Sequence, residues 1–115
     1  MHVRGALIAT LGLALAACSA QVAVAAPHER DDSRPQAQRR YAELVEIDTT
    51  VAAALDRAEC EANICPSALR ICELADQICE IAGRHDGDRE LGIRCADSRR
   101  RCDRVTERVG AACDC

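Results

Sequence analysis

The chain has 115 residues, room for one domain, and its formal charge of −4 excludes nonspecific nucleic-acid binding. Tyr41 is the only aromatic residue and Lys is absent. The 49% apolar content is mostly Ala, Leu, Val, Ile and Cys, which favours a thin helical core, since strands rely on β-branched and aromatic packing.

Met1 to Arg4 is a short basic start, and Gly5 to Ala17 is an uncharged run too short for a membrane span of ~20 residues. Leu15-Ala16-Ala17-Cys18 follows. A basic start, a short apolar stretch and small residues before a cut site make an export signal over residues 1–17. The four residues closely resemble the lipobox of bacterial lipoproteins. That resemblance implies cleavage between Ala17 and Cys18, a diacylglyceryl thioether on the Cys18 sulfur, and N-acylation. Acyl chains contribute ~0.8 kcal/mol per buried CH₂, so several on one cysteine anchor firmly. Ser19, in place of Asp after the acylated cysteine, further implies the outer membrane in Gram-negative cells. Two other readings stay open: cleavage after Ala23-Val24-Ala25 with secretion, and an uncleaved anchor over Ala6 to Ala26. Cysteine parity favours the lipoprotein over the uncleaved anchor. Removing Cys18 from nine cysteines leaves eight, which can pair completely.

Residues 18–36 read as the acylated cysteine and a disordered tether, with Pro27, Pro35, Asp31-Asp32 and no apolar periodicity. Such a coil spans roughly 25 Å and reaches about 60 Å when extended. His28 is expected to be solvated there.

Residues 37–115 form the expected domain: all-α, a disulfide-cross-linked helical hairpin extended to an antiparallel three-helix bundle. Ser33 and Gln36 have the spacing of a capping box at the start of the first helix. Tyr41, Leu44, Val45, Val51, Ala52, Leu55 and Ala58 recur in helical steps to about Cys60. Asp48 interrupts this stripe and is expected at an edge of the interface. Pro66 suits the first turn of a second helix, running to about Ala82 with Gly83 as its C′ residue. Asp86-Gly87-Asp88 signals a turn, and Asp88 can cap a third helix carrying Leu91, Cys95, Cys102, Val105 and Val109.

Nine cysteines in a short exported chain read as a disulfide framework. Cys72 and Cys79 are seven residues apart, as are Cys95 and Cys102, so each pair shares one helix face. Folded antiparallel, Cys72 meets Cys102 and Cys79 meets Cys95, and both pairs centre on Gly87, the turn glycine. Cys65–Cys113 and Cys60–Cys115 nearly keep this register, and the crossed pairing is almost as good. Arg94, Arg99, Arg100, Arg101, Arg104 and Arg108 make the third helix basic. Glu43, Glu46, Asp56, Glu59, Glu73, Asp76 and Glu80 make the first two acidic, favouring this packing order.

Ile71-Cys72-Glu73-Leu74-Ala75 and Arg94-Cys95-Ala96-Asp97 resemble phrases in the short cysteine-rich predicted lipoproteins of myxobacterial genomes. That group carries no assigned activity, so the resemblance implies the layout and leaves function open.

Three candidate sites have simpler explanations. Metal–thiolate sites favour C-x₂₋₄-C clusters; Cys60-x₄-Cys65 alone comes close, and His85 is the only histidine in the domain. Asp86, Asp88, Glu90, Ile93 and Asp97 match an EF-hand loop in spacing, but Leu91 stands where glycine belongs. Arg99-Arg100-Arg101 spans nearly a helical turn and cannot form one flat patch. No catalytic set or phosphate loop is visible. The expected function is therefore a noncatalytic envelope lipoprotein, without a cofactor, attached to the membrane through Cys18 and presenting a rigid helical surface to an envelope protein. The competing class is a metal-binding or thiol-redox envelope protein that uses its cysteines.

Overall fold

The computed structural model describes residues 31–115. The signal, Cys18, Ser19, His28 and the first part of the tether lie outside the described residues. The described part is an all-α bundle of three helices: α1 (Ser33–Asp56), α2 (Ile64–Gly83) and α3 (Arg89–Ala112). Disulfides Cys72–Cys102 and Cys79–Cys95 set α2 and α3 antiparallel. Tyr41 meets Asp97 and Asp56 meets Arg108, so α1 runs parallel to α3 and antiparallel to α2.

The helix ends follow local chemistry. Asp88 caps α3, its side chain accepting from the Leu91 N–H at 3.2 Å. The expected capping box at Ser33 does not form. Asp32 holds the N-cap position of α1 without a side-chain bond, and the Ser33 N–H donates to the Asp31 carboxylate at 3.1 Å. Helix α1 begins at Ser33, inside the segment expected to be tether. It ends at Asp56, short of Cys60. There the Ala58 N–H donates to Leu55 O at 3.0 Å and the Glu59 N–H to Ala54 O at 2.9 Å. These are the two bonds of a Schellman motif, which needs a left-handed residue at C′. Ala58 occupies that position at φ 56° and is exposed, not part of the apolar stripe. Replacing Ala58 with Gly should raise unfolding free energy by about 0.5–1 kcal/mol in urea titration, because the left-handed cost of a Cβ exceeds the entropy glycine adds to the unfolded chain. Gly83, expected at C′ of α2, is instead its last helical residue, and Arg84 after it stays right-handed at φ −83°. No described glycine has positive φ.

The main core gathers Leu44, Val51 and Ala54 of α1, Ile71, Leu74 and Ile78 of α2, and Val105 and Val109 of α3. A second cluster of Ala37, Ile81 and Leu91 closes the end beside the α2–α3 turn. Helix α3 turns Leu91, Ser98 and Val105 inward at strict heptad spacing. Ser98 is fully buried and its Oγ has no hydrogen-bond partner. Leaving a buried hydroxyl unsatisfied costs ~1–3 kcal/mol. Ser98→Ala is therefore expected to stabilise the domain by about 1 kcal/mol; a loss of stability in the same titration would mean that the hydroxyl has a stabilising partner.

Candidate functional site

Two devices hold the bundle, and they act on different pairs of helices. The first is covalent. Cys79–Cys95 and Cys72–Cys102 join α2 to α3 with Cα separations of 4.6 and 4.8 Å. At the far end the bridges are Cys60–Cys113 and Cys65–Cys115, with Cα separations of 5.5 and 5.8 Å. This is the crossed pairing, which replaces Cys65–Cys113 and Cys60–Cys115. Hairpin register holds only within helices. Cys60 precedes α2, and Cys113 is an extended C-cap residue at φ −125°, ψ 147°, so helical spacing does not reach either. Cys113 is buried against the core, whereas Cys115 is exposed.

The second device is ionic and joins α1 to α3. Asp48 is only 7% exposed, in the interface rather than at its edge. Its Oδ2 accepts from Arg101 Nη1 at 2.6 Å and Arg104 Nη2 at 3.3 Å. Arg101 Nε donates to Asp97 Oδ2 at 2.7 Å, and the Tyr41 hydroxyl donates to the same oxygen at 2.8 Å. The chain of contacts Tyr41–Asp97–Arg101–Asp48 thus crosses the α1–α3 boundary twice. The Arg101 bond, followed by that of Tyr41, outweighs burial and holds the Asp97 carboxyl below its ordinary value. In return, Asp97 pushes the Tyr41 hydroxyl upward. The Asp97 hydrogen bond raises Arg101 further above its ordinary value, so this guanidinium stays charged. The Arg94 guanidinium lies 5.6 Å from the Tyr41 ring centre, within cation–π range.

The arginine triplet divides as its helical geometry requires. Arg101 enters this network, Arg100 touches Asp97 at 3.4 Å, and Arg99 is exposed. The basic helix α3 pairs with α1, through Asp48 and Asp56. Among the described residues, the acidic groups of α2 pair with arginines of α1, α2 and the turn only where Glu73 meets Arg70 and Glu80 meets Arg84 within the same segment. Glu43 of α1 meets Arg70 of α2 at 3.0 Å. The EF-hand spacing has no counterpart in space: Asp88 caps a helix and pairs with Arg34, while Asp97 serves Arg101 and Tyr41. Among the described residues, no three His, Cys, Asp or Glu side chains are placed so that they could hold a metal ion together.

Sequence reasoning missed the network, although its signal was present. A carboxylate in the middle of an apolar stripe either faces water or meets a cation, and Arg101 stands in register to meet it. Ser98 gave a weaker signal, since it holds the heptad position between Leu91 and Val105.

The two ends of the bundle differ. At the α2–α3 turn, Asp31, Arg34, His85, Asp86 and Asp88 surround a polar depression of about 360 Å³, with His85 Nε2 3.6 Å from Asp31. At the other end, Cys65, Ala68, Leu69, Val109 and Cys115 line a mostly apolar notch of about 250 Å³, below the ~300–1,000 Å³ usual for small-molecule sites. Leu69 is 68% exposed beside it and Ile93, on α3, is 56% exposed. No described helix is long and apolar enough to cross a membrane. No family model matches the chain, and neither a curated protein nor a solved structure matches it.

Proposed function

We propose that the chain is a noncatalytic envelope lipoprotein, held in the membrane by acyl chains on Cys18, whose rigid helical domain is a docking surface for another envelope protein. The observation that carries this reading is the disposition of the disulfides. Four bridges span the α2–α3 hairpin from its turn to its open end, a framework suited to an oxidising compartment and a thin core. The export signal and lipobox supply that compartment. The competing metal or thiol-redox reading needs thiolates, and each of the eight described cysteine sulfurs is bonded to another.

The start of α1 at Ser33, where the tether enters the domain, lies beside the turn. In this reading the end with Leu69 and the outer disulfides projects away from the attachment point, about 36 Å along a 24-residue helix. Two experiments test the proposal. Cys18→Ser should move the protein from the membrane fraction to the soluble fraction. A photoreactive residue in place of Leu69, illuminated in intact cells, should give one stoichiometric adduct with an envelope protein. Membrane retention of Cys18→Ser, or no adduct from position 69, would sink it. Amine-reactive cross-linkers are unsuitable, because the chain has no Lys.

A further inference from the structure

All four disulfides join residues at or beyond Cys60, and α1 contains no cysteine. Under oxidising conditions α2 and α3 cannot separate, whereas α1 is held by noncovalent contacts alone. Three residues, Arg57 to Glu59, connect its end to the first pinned cysteine. Ala58 in the middle of them is held at φ 56°, a conformation that an alanine resists.

The surface beneath α1 is specific. Ile71, Leu74 and Ile78 are fully buried there and would form a bare apolar trough if α1 left. Beside the trough, Arg101 and Arg104 await a carboxylate at position 48, and Asp97 awaits the hydroxyl at position 41. A helix that satisfies every one of these groups exists in each copy of the chain, namely α1 itself.

We propose that α1 is exchangeable, and that two copies of this chain form a domain-swapped dimer in which each α1 lies in the other's α2–α3 trough, with Arg57–Glu59 as the hinge. Within the trough the closed and swapped forms make the same contacts. Their balance is therefore set by the hinge and by concentration. Closing requires the left-handed Ala58, while a swapped chain can extend there. This inference does not depend on lipidation, and it applies equally to the unanchored domain.

The test uses oxidised protein with all four bridges intact, beginning at Ser19 so that no acyl chain is present. Sedimentation over a wide concentration range should show a dimer whose fraction grows with concentration. Ala58→Pro cannot adopt positive φ, so it should raise the dimer association constant about tenfold or more. Ala58→Gly should lower it. A charge-swapped pair then identifies the surface. Asp48→Arg places a cation against Arg101, and Arg101→Asp places a carboxylate against Asp48. Each variant opposes its own α1, but α1 of either fits the trough of the other, so an equimolar mixture should form a heterodimer that neither variant forms alone. An Ala58→Pro protein that stays monomeric at every concentration overturns the proposal. So does a dimer of the wild-type chain combined with a charge-swapped mixture that gives no heterodimer, since the copies would then meet through another surface.

Discussion

Complete reduction of the four disulfides is expected to unfold the domain at 25 °C, with loss of most of its helical circular dichroism. The core explains why. Its largest fully buried side chains are Leu and Ile, with no Phe or Trp in the chain. Small domains with such cores need covalent support. Taken alone, Cys79–Cys95, with a sequence separation of 16, contributes ~3 kcal/mol in the chain-entropy model. The outer bridges have separations of 53 and 50. They would contribute ~4 kcal/mol each if alone, but less when nested around inner bridges. The sum still rivals the ~5–15 kcal/mol that keeps a typical domain folded. The check is a thermal melt of protein reduced and fully alkylated, beside the oxidised form. A cooperative helical melt surviving in the alkylated protein would show that packing suffices without the bridges.

Asp48→Ala should cost about 2–3 kcal/mol, an effect on the scale of truncating a buried core side chain. Removing one partner of a buried ion pair leaves the other charge uncompensated. Here Arg101 keeps Asp97, at 2.7 Å, which holds the loss below that of an isolated pair. Asp48→Asn keeps an acceptor and should lose less. Urea titration with the disulfides intact measures both, and a loss under 0.5 kcal/mol for Asp48→Ala would show that Arg101 is satisfied without it. Other ion pairs, such as Arg70–Glu43, are well exposed and each worth only ~0–1 kcal/mol. The same network sets a pH response. The Asp97 carboxyl lies below its ordinary value of 3.8 in the folded chain. Its contribution is complete above that unfolded value and is lost as pH falls through the lower folded one. Acid should therefore loosen α1 first, while the bridged hairpin persists.

The hairpin was legible in the sequence because two independent signals coincide. The seven-residue cysteine spacings and the Asp86-Gly87-Asp88 turn point to one pivot, and the disulfides of α2 and α3 take that register. The cap at Asp88 was legible for the same local reason. Pairing beyond the helices was not, because Cys60 lies in a loop and Cys115 follows an extended residue, where helical spacing carries no information. The end of α1 was misread because Ala58 looks apolar and helical, and only the backbone reveals its left-handed turn. Asp48 shows the wider lesson. Periodicity marks a polar residue on a buried face but cannot say whether a partner waits across the interface. Here the partner is Arg101, 53 residues away. Its place three residues after Ser98 and four before Val105 puts it beside the inward face of α3, unlike the exposed Arg99 and Arg100, but only the fold shows that Asp48 lies opposite.

The most direct test of the central claim, a lipid-anchored scaffold with four bridges, is the intact mass of native protein extracted from membranes and alkylated with and without prior reduction. The expected result is a chain beginning at an acylated Cys18, with eight cysteines alkylated only after reduction. Cysteines alkylated before reduction, or an unlipidated chain beginning near Ala26, would contradict it.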